Sequence, residues 1–179
     1  MQLRDAKIAI VCDWLTSSGG AERVIHALHE LFPDAPIYTS LYNPEKVHGF
    51  ENAEIKTSFL QKIPFAKKHH QFFLPWMPLA FERFNLNKYD IVISSAHSCA
   101  KGIITKPDTI HVSYCHSPMR YVWDNYQNYL REYRLNGFIK KRGESMLHKI
   151  RMWDRLAADR VDHFLTNSQY VQKRIKKYY

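Results

Sequence analysis

The sequence is short of most features that would place it quickly. Its three cysteines, Cys12, Cys99 and Cys115, are scattered and none has a CxxC partner. That excludes a disulfide framework and leaves no cysteine-based metal spacing. Each sits in or beside an apolar run, so each reads as a buried, reduced thiol. No apolar run approaches the ~20 residues that span a bilayer. The amino terminus, "MQLRDAKIAIVCDW", lacks a signal peptide, because its short apolar stretch runs into Asp13 and Trp14 instead of a small-residue cleavage site. The expectation is a cytosolic chain. There is no internal repeat, no Gly/Ser linker and no low-complexity tract, so disorder is not expected. Neither GxxxxGK[ST] nor GxGxxG follows the first apolar run, and no acidic residue closes the second near Leu41. A P-loop and a nicotinamide or flavin fingerprint are therefore unsupported.

What is present suits a single layered domain over residues 1–179, with 45% hydrophobic residues to build its core. Short runs rich in Ile, Val and Tyr recur at 7–12, 36–42, 54–59, 90–96, 110–115 and 163–168. Several are nearly continuous in hydrophobicity, as in parallel strands covered on both faces. Helical stripes lie between them: Ala21, Val24, Ile25, Leu28 and Phe32, stopped by Pro33; Met146, Ile150, Trp153 and Ala157; and Val171, Ile175 and Tyr178, with Ser168 as a cap. The alternation predicts an α/β fold, a Rossmann-like three-layer domain with a mainly parallel sheet. Ligands of such sheets sit at the carboxyl ends of the strands.

The net charge is +9 and unevenly spread: residues 1–58 sum to −3 and residues 131–160 to +5. An anionic partner follows, whether nucleic acid, anionic lipid or a phosphorylated substrate. One candidate anion site is "SSGGAE". There Gly19 and Gly20 would allow backbone dihedrals and close approaches that a side chain forbids, and the helix that follows would present unpaired N–H groups at the positive end of its dipole. A second candidate is "HVSYCHSPMRYVWD", which puts His116, Ser117, Pro118 and Arg120 directly after a strand. If the strands are parallel, both turns open on one edge. A neutral imidazole can hydrogen-bond a hydroxyl, and an imidazolium can support a phosphate.

Three stretches, "KIAIVCDWLTSSGGAERVIHALHELFPDAPIYT", "DIVISSAHSCAKGI" and "YCHSPMRYVWD", followed by "DHFLTNSQYVQKRIKKYY", resemble the amino-terminal half of family-4 glycosyltransferases. The resemblance implies the acceptor-binding, Rossmann-like domain of a two-domain, retaining GT-B enzyme. It implies that Gly19 and Gly20 approach the donor diphosphate or the acceptor, that His116 contacts the transferred sugar near the reacting centre, and that Arg120 assists nearby. It also implies a nucleotide-sugar as substrate, no metal and no other cofactor. The acceptor would be a saccharide or a lipid-linked saccharide, and the transferred hexose could be mannose-like, in cell-surface polysaccharide synthesis. The family's donor pocket lies in a carboxy-terminal domain that these residues do not include, so this half alone should not turn over.

The stretch from Phe59 to Phe84 interleaves Lys62, Lys67, Lys68, His69 and His70 with Phe65, Phe72, Phe73, Leu74, Trp76 and Met77, and Pro64, Pro75 and Pro78 exclude one long helix. Such a mixture suits the inner face of an anionic membrane, with Lys62, Lys67, Lys68 and Trp76 as contacts. It equally suits aromatics packed in a core beneath solvated lysines. The alternative of another class is a non-catalytic basic α/β module that binds nucleic acid or another polyanion. Against it, no nucleic-acid motif is present.

Overall fold

The computed structural model describes residues 5–17, 19–132 and 137–179. Six strands form one sheet: β1 (Ile8–Cys12), β2 (Ile37–Thr39), β3 (Ile55–Thr57), β4 (Ile91–Ala96), β5 (Ile110–Cys115) and β6 (His163–Leu165). Every pairing is parallel, and the order across the sheet is β3-β2-β1-β4-β5-β6. The sequence predicted a Rossmann-like, mainly parallel sheet, and the order is that of the Rossmann fold. The direction of winding reverses between β1 and β4, which opens a crevice outside their carboxyl ends.

β2 is shorter than its apolar run because irregular pairing takes over at its carboxyl end. Beyond β2, Ser40 N–H donates to Asp13 O, and Leu15 pairs with Leu41 and Tyr42 without forming a ladder. The runs were nearly continuous because both faces of the sheet are covered. In β1, Ala9 and Val11 enter one apolar cluster and Ile10 and Cys12 the other.

Helix α1 (Gly20–Leu31) covers the second cluster through Ile25. Phe32 closes it, its N–H reaching Leu28 O ahead of Pro33. The first cluster is roofed by the 59–84 segment and by α4 (Gly137–Ala158), whose inward face carries Leu147, Ile150 and Ala157. Between them lie α2 (Met77–Glu82) and α3 (Tyr126–Glu132). Helix α5 (Gln169–Tyr178) starts at Ser168, whose Oγ accepts the Val171 N–H at 3.1 Å, as the sequence suggested.

The prolines do break the 59–84 segment. It folds as 3-10 turns at Phe59–Lys62 and His70–Trp76 before α2. Its two sequence readings divide residue by residue. Leu60, Ala66, Leu74, Met77 and Phe81 are buried, whereas Phe65, Phe72, Trp76 and Leu79 stand in solvent beside exposed Lys62, Lys67 and Lys68. Among the described residues, no helix is long and apolar enough to cross a membrane.

Candidate functional site

At the reversal point, the first residue after β1 bridges to the first residues after β4. Asp13 is almost fully buried. Its Oδ2 accepts the main-chain N–H of His97 at 2.7 Å and of Ser98 at 2.9 Å, and its Oδ1 accepts that of Ala100 at 2.7 Å. His97 Nδ1 lies 3.1 Å from the same carboxylate. Where neighbouring strands part, their end groups would face each other unpaired; one carboxylate satisfies three of them and fixes an imidazole as well.

His116 leaves the end of β5 onto the same edge. Its Nε2 is 2.8 Å from the hydroxyl of buried Ser95, its N–H donates to Ala96 O, and its ring centroid is 6.4 Å from that of His97. Burial, reinforced by His97 and opposed by Asp13, lowers the His116 pKa from its ordinary value. The ring is thus neutral at neutral pH. Of the two roles open to it from the sequence, hydrogen-bonding a hydroxyl is favoured over neutralising a phosphate.

The helix that follows the glycine turn borders this crevice. Ala21 and Glu22, in the first turn of α1, meet Ser95 and His97 in a small recess. The dihedral argument for the glycines needs correction, however. Gly19 has φ −159°, an extended value open to any residue, and the glycines with positive φ are Gly49 and Gly137. What the pair provides is space: a Cβ on Gly20 would meet nothing within 4 Å, and one on Gly19 would meet Glu22 Oε2 at 3.0 Å. Gly19, the N-cap of α1, makes no side-chain cap hydrogen bond. Glu22 already places a carboxylate in the first turn, so an incoming anion would compete with it for the same dipole.

Arg120 is exposed and bonds to none of the site residues described. The cation that grips this loop is one the sequence reading missed. Buried Arg174 of α5 donates to Ser117 Oγ, to Pro118 O at 3.2 Å and to Asp124 Oδ1 at 2.7 Å. It sits between Val171 and Ile175 in the apolar stripe, and that placement was the available clue. Asp13, Ser95 and His97 were also missed. Each is a polar residue at the carboxyl end of a predicted strand.

A second cavity, about 160 Å³, adjoins His97 and is walled mainly by Trp14, His70, Leu74, Met77 and Tyr121. The Trp14 ring lies 4.5 Å from that of His70 and 4.6 Å from that of His97. Burial, with help from His97, also lowers the His70 pKa. Another cavity, about 720 Å³, opens at the opposite, amino-terminal edge between Lys7, Phe32, Pro36 and Tyr89. It lies at the amino ends of the strands, whereas ligands of such sheets sit at the carboxyl ends, so the smaller, carboxyl-edge crevice is the candidate site.

A doubly covered parallel sheet, reversing direction beside a crevice lined by imidazoles and a buried carboxylate, defines a Rossmann-like α/β domain. The chain belongs to Glycosyltransferase Family 4, whose model matches residues 18–179, and represents an amino-terminal domain of such an enzyme. No curated protein and no solved structure matches it.

Proposed function

We propose that these residues form the acceptor-binding half of a retaining GT-B glycosyltransferase. A second domain, following Tyr179 in the complete protein, supplies the donor pocket, so residues 1–179 alone are inactive. The enzyme transfers a mannose-like hexose from a nucleotide-sugar to a saccharide or lipid-linked acceptor in cell-surface polysaccharide synthesis. No metal or other cofactor takes part. The observation that supports this reading is that Ser95, hydrogen-bonded to His116, and His97, whose ring centre is 6.4 Å from that of His116, line the recess that Ala21 and Glu22, directly after Gly20, also line. Neutral His116 hydrogen-bonds a hydroxyl of the transferred sugar. The open N–H groups at Gly20 face the departing diphosphate or the acceptor, where fixed dipoles stabilise developing charge. Arg120 reaches the same ligand from solvent. The acceptor hydroxyl attacks from the face the diphosphate leaves, and the diphosphate oxygen takes its proton.

The domain works in the cytoplasm, at the inner face of an anionic membrane. Lys62, Lys67, Lys68 and Trp76 supply the contact, together with Phe65 and Phe72. Phe65 supports this: it is 74% exposed and holds φ +63°, a left-handed backbone that costs a non-glycine residue roughly 1–2 kcal/mol. The folded chain gains no burial in return. Transfer assays on the full-length protein test the central claim. His116→Ala should lower kcat about 10²-fold, the scale of losing one directed hydrogen bond at a reacting centre. Unchanged turnover would remove the reading.

A further inference from the structure

The loop that carries His116 is held from two sides. On the sheet side, His116 Nε2 lies 2.8 Å from Ser95 Oγ, and the His116 main-chain N–H donates to Ala96 O. On the other side stands one guanidinium, that of Arg174 in α5, with its side chain only 7% exposed. Its Nη1 donates to Ser117 Oγ, and its Nη2 donates to Pro118 O at 3.2 Å and to Asp124 Oδ1 at 2.7 Å. These acceptors span the turn that follows β5, and the first belongs to the residue next to His116. The Ser117 hydroxyl in turn donates to Pro118 O at 2.9 Å, so it is fixed both as donor and as acceptor.

Fastening α5 to the domain does not require this arrangement. An apolar side chain in the stripe of Val171 and Ile175 would do it without taking a charge out of water. Arg174 even leaves its Nε buried with no hydrogen-bond partner. What an apolar side chain cannot do is fix the direction of a hydroxyl, a carbonyl and a carboxylate together, and a planar fork can. The fork is itself steadied. The rings of Tyr170 and Tyr178, one helical turn to either side, lie 6.0 and 5.8 Å from the guanidinium carbon.

We propose that Arg174 is a positioning residue for transfer: by fixing Ser117, Pro118 and Asp124 it sets the course of the loop that leaves β5, and so the place at which His116 meets the transferred sugar. This rests on the transferase reading and adds to it a residue that acts only through His116. A misplacement of about 1 Å at a reacting centre can cost about 10²-fold in rate.

The His116 ring can be read directly, without substrate. In full-length protein carrying ¹³C-labelled histidine, its signal is the one lost in His116→Ala. In the wild type it should titrate below 6.5, since burial, reinforced by His97 and opposed by Asp13, lowers that pKa. Arg174→Gln loses the fork, so it should shift the signal at pH 7 and move its titration toward 6.5 as the loop loosens. Arg174→Lys keeps the charge and should shift the signal the same way by less. Ser168→Ala, which weakens α5 by removing its N-cap bond, should leave the signal in place. In transfer assays Arg174→Gln should lower kcat about 10- to 10²-fold. Combined with His116→Ala, it should lower kcat no further than His116→Ala alone, because both changes act through one group. An unmoved His116 signal in Arg174→Gln overturns the proposal, and so does a kcat loss that adds in full to that of His116→Ala. The two failures differ. Unchanged turnover in His116→Ala removes the transferase reading, whereas an unmoved signal beside an inactive His116→Ala removes only the role of Arg174. Should Arg174→Gln fail to fold, Ser117→Ala, which loses one bond of the fork and keeps the Asp124 pair, carries the same test.

Discussion

Two buried aspartates, Asp13 and Asp154, solve the same problem in opposite ways. Asp13 is surrounded by main-chain N–H groups and one imidazole at the edge of the crevice. Asp154, on α4, is surrounded by side chains. Lys101 Nζ pairs with its Oδ1, and Trp123 Nε1 at 2.7 Å and the Tyr179 hydroxyl at 2.9 Å donate to its Oδ2. Burial would strip the Lys101 proton, but Asp154 and Tyr179 outweigh it and hold that pKa above its usual value. The Asp154 knot joins the turn after β4, the loop after β5, α4 and the end of α5. It is framework. The Asp13 knot shapes a surface that a ligand meets. A carboxylate held by backbone fixes a local geometry; one held by distant side chains fixes the relation between elements.

The largest effect should come from breaking the framework knot. Asp154→Ala leaves the Lys101 ammonium buried and unpaired and should cost about 3–5 kcal/mol, measured by urea unfolding. The double variant Lys101→Met, Asp154→Leu should recover most of it, because the pair's removal also removes the desolvation cost. If it does not, Asp154 contributes more than ion pairing. Asp13→Asn sharpens the contrast. An amide NH₂ would confront donors at 2.7–2.9 Å, costing about 1–3 kcal/mol. It should also reduce transfer more than Asp154→Asn does at matched stability. Equal losses would erase the distinction.

A third buried group takes neither route. His111, bonded to Ser94 Oγ at 2.9 Å, lies in β5, and burial pushes its pKa down to about 4. The unfolded chain, titrating near 6.5, takes up a proton that the folded chain refuses. Stability should therefore be full above pH 6.5 and fall as pH drops toward and through 4, with His70 and His116 adding in the same direction. His111→Gln should flatten that slope in thermal melts between pH 7 and 4.5. The smallest effect concerns a residue in no knot. Phe65→Gly relieves a left-handed φ and should shift stability by no more than about 1 kcal/mol, while weakening sedimentation with anionic liposomes at low salt. Unaltered liposome binding would detach Phe65 from the membrane reading.

The layers and the parallel strands were legible because apolar periodicity is local and strong. The runs "KIAIVC" and "DIVISSA" read as covered parallel strands, and Ser168 announced its helix. His116 was legible as a polar residue at a strand end. Asp13 and His97 obeyed the same rule but were passed over, since their meaning depends on β1 and β4 being neighbours, and adjacency across some 80 residues leaves no local trace. Lys101, Asp154 and Arg174 were hidden differently. Buried charges sit in stripes that otherwise read as apolar, and only their partners explain them. The glycine pair shows the reverse error, in which composition suggested unusual dihedrals and the backbone uses ordinary ones.

The three thiols have a practical consequence. Cys12, Cys99 and Cys115 are all buried, and burial raises every one of their pKa values, that of Cys115 to about 12. Thiolate is the species that alkylating reagents attack. The native chain should thus stay silent toward maleimides while folded, and a single cysteine engineered at the Trp76 position would report its surroundings against a blank background.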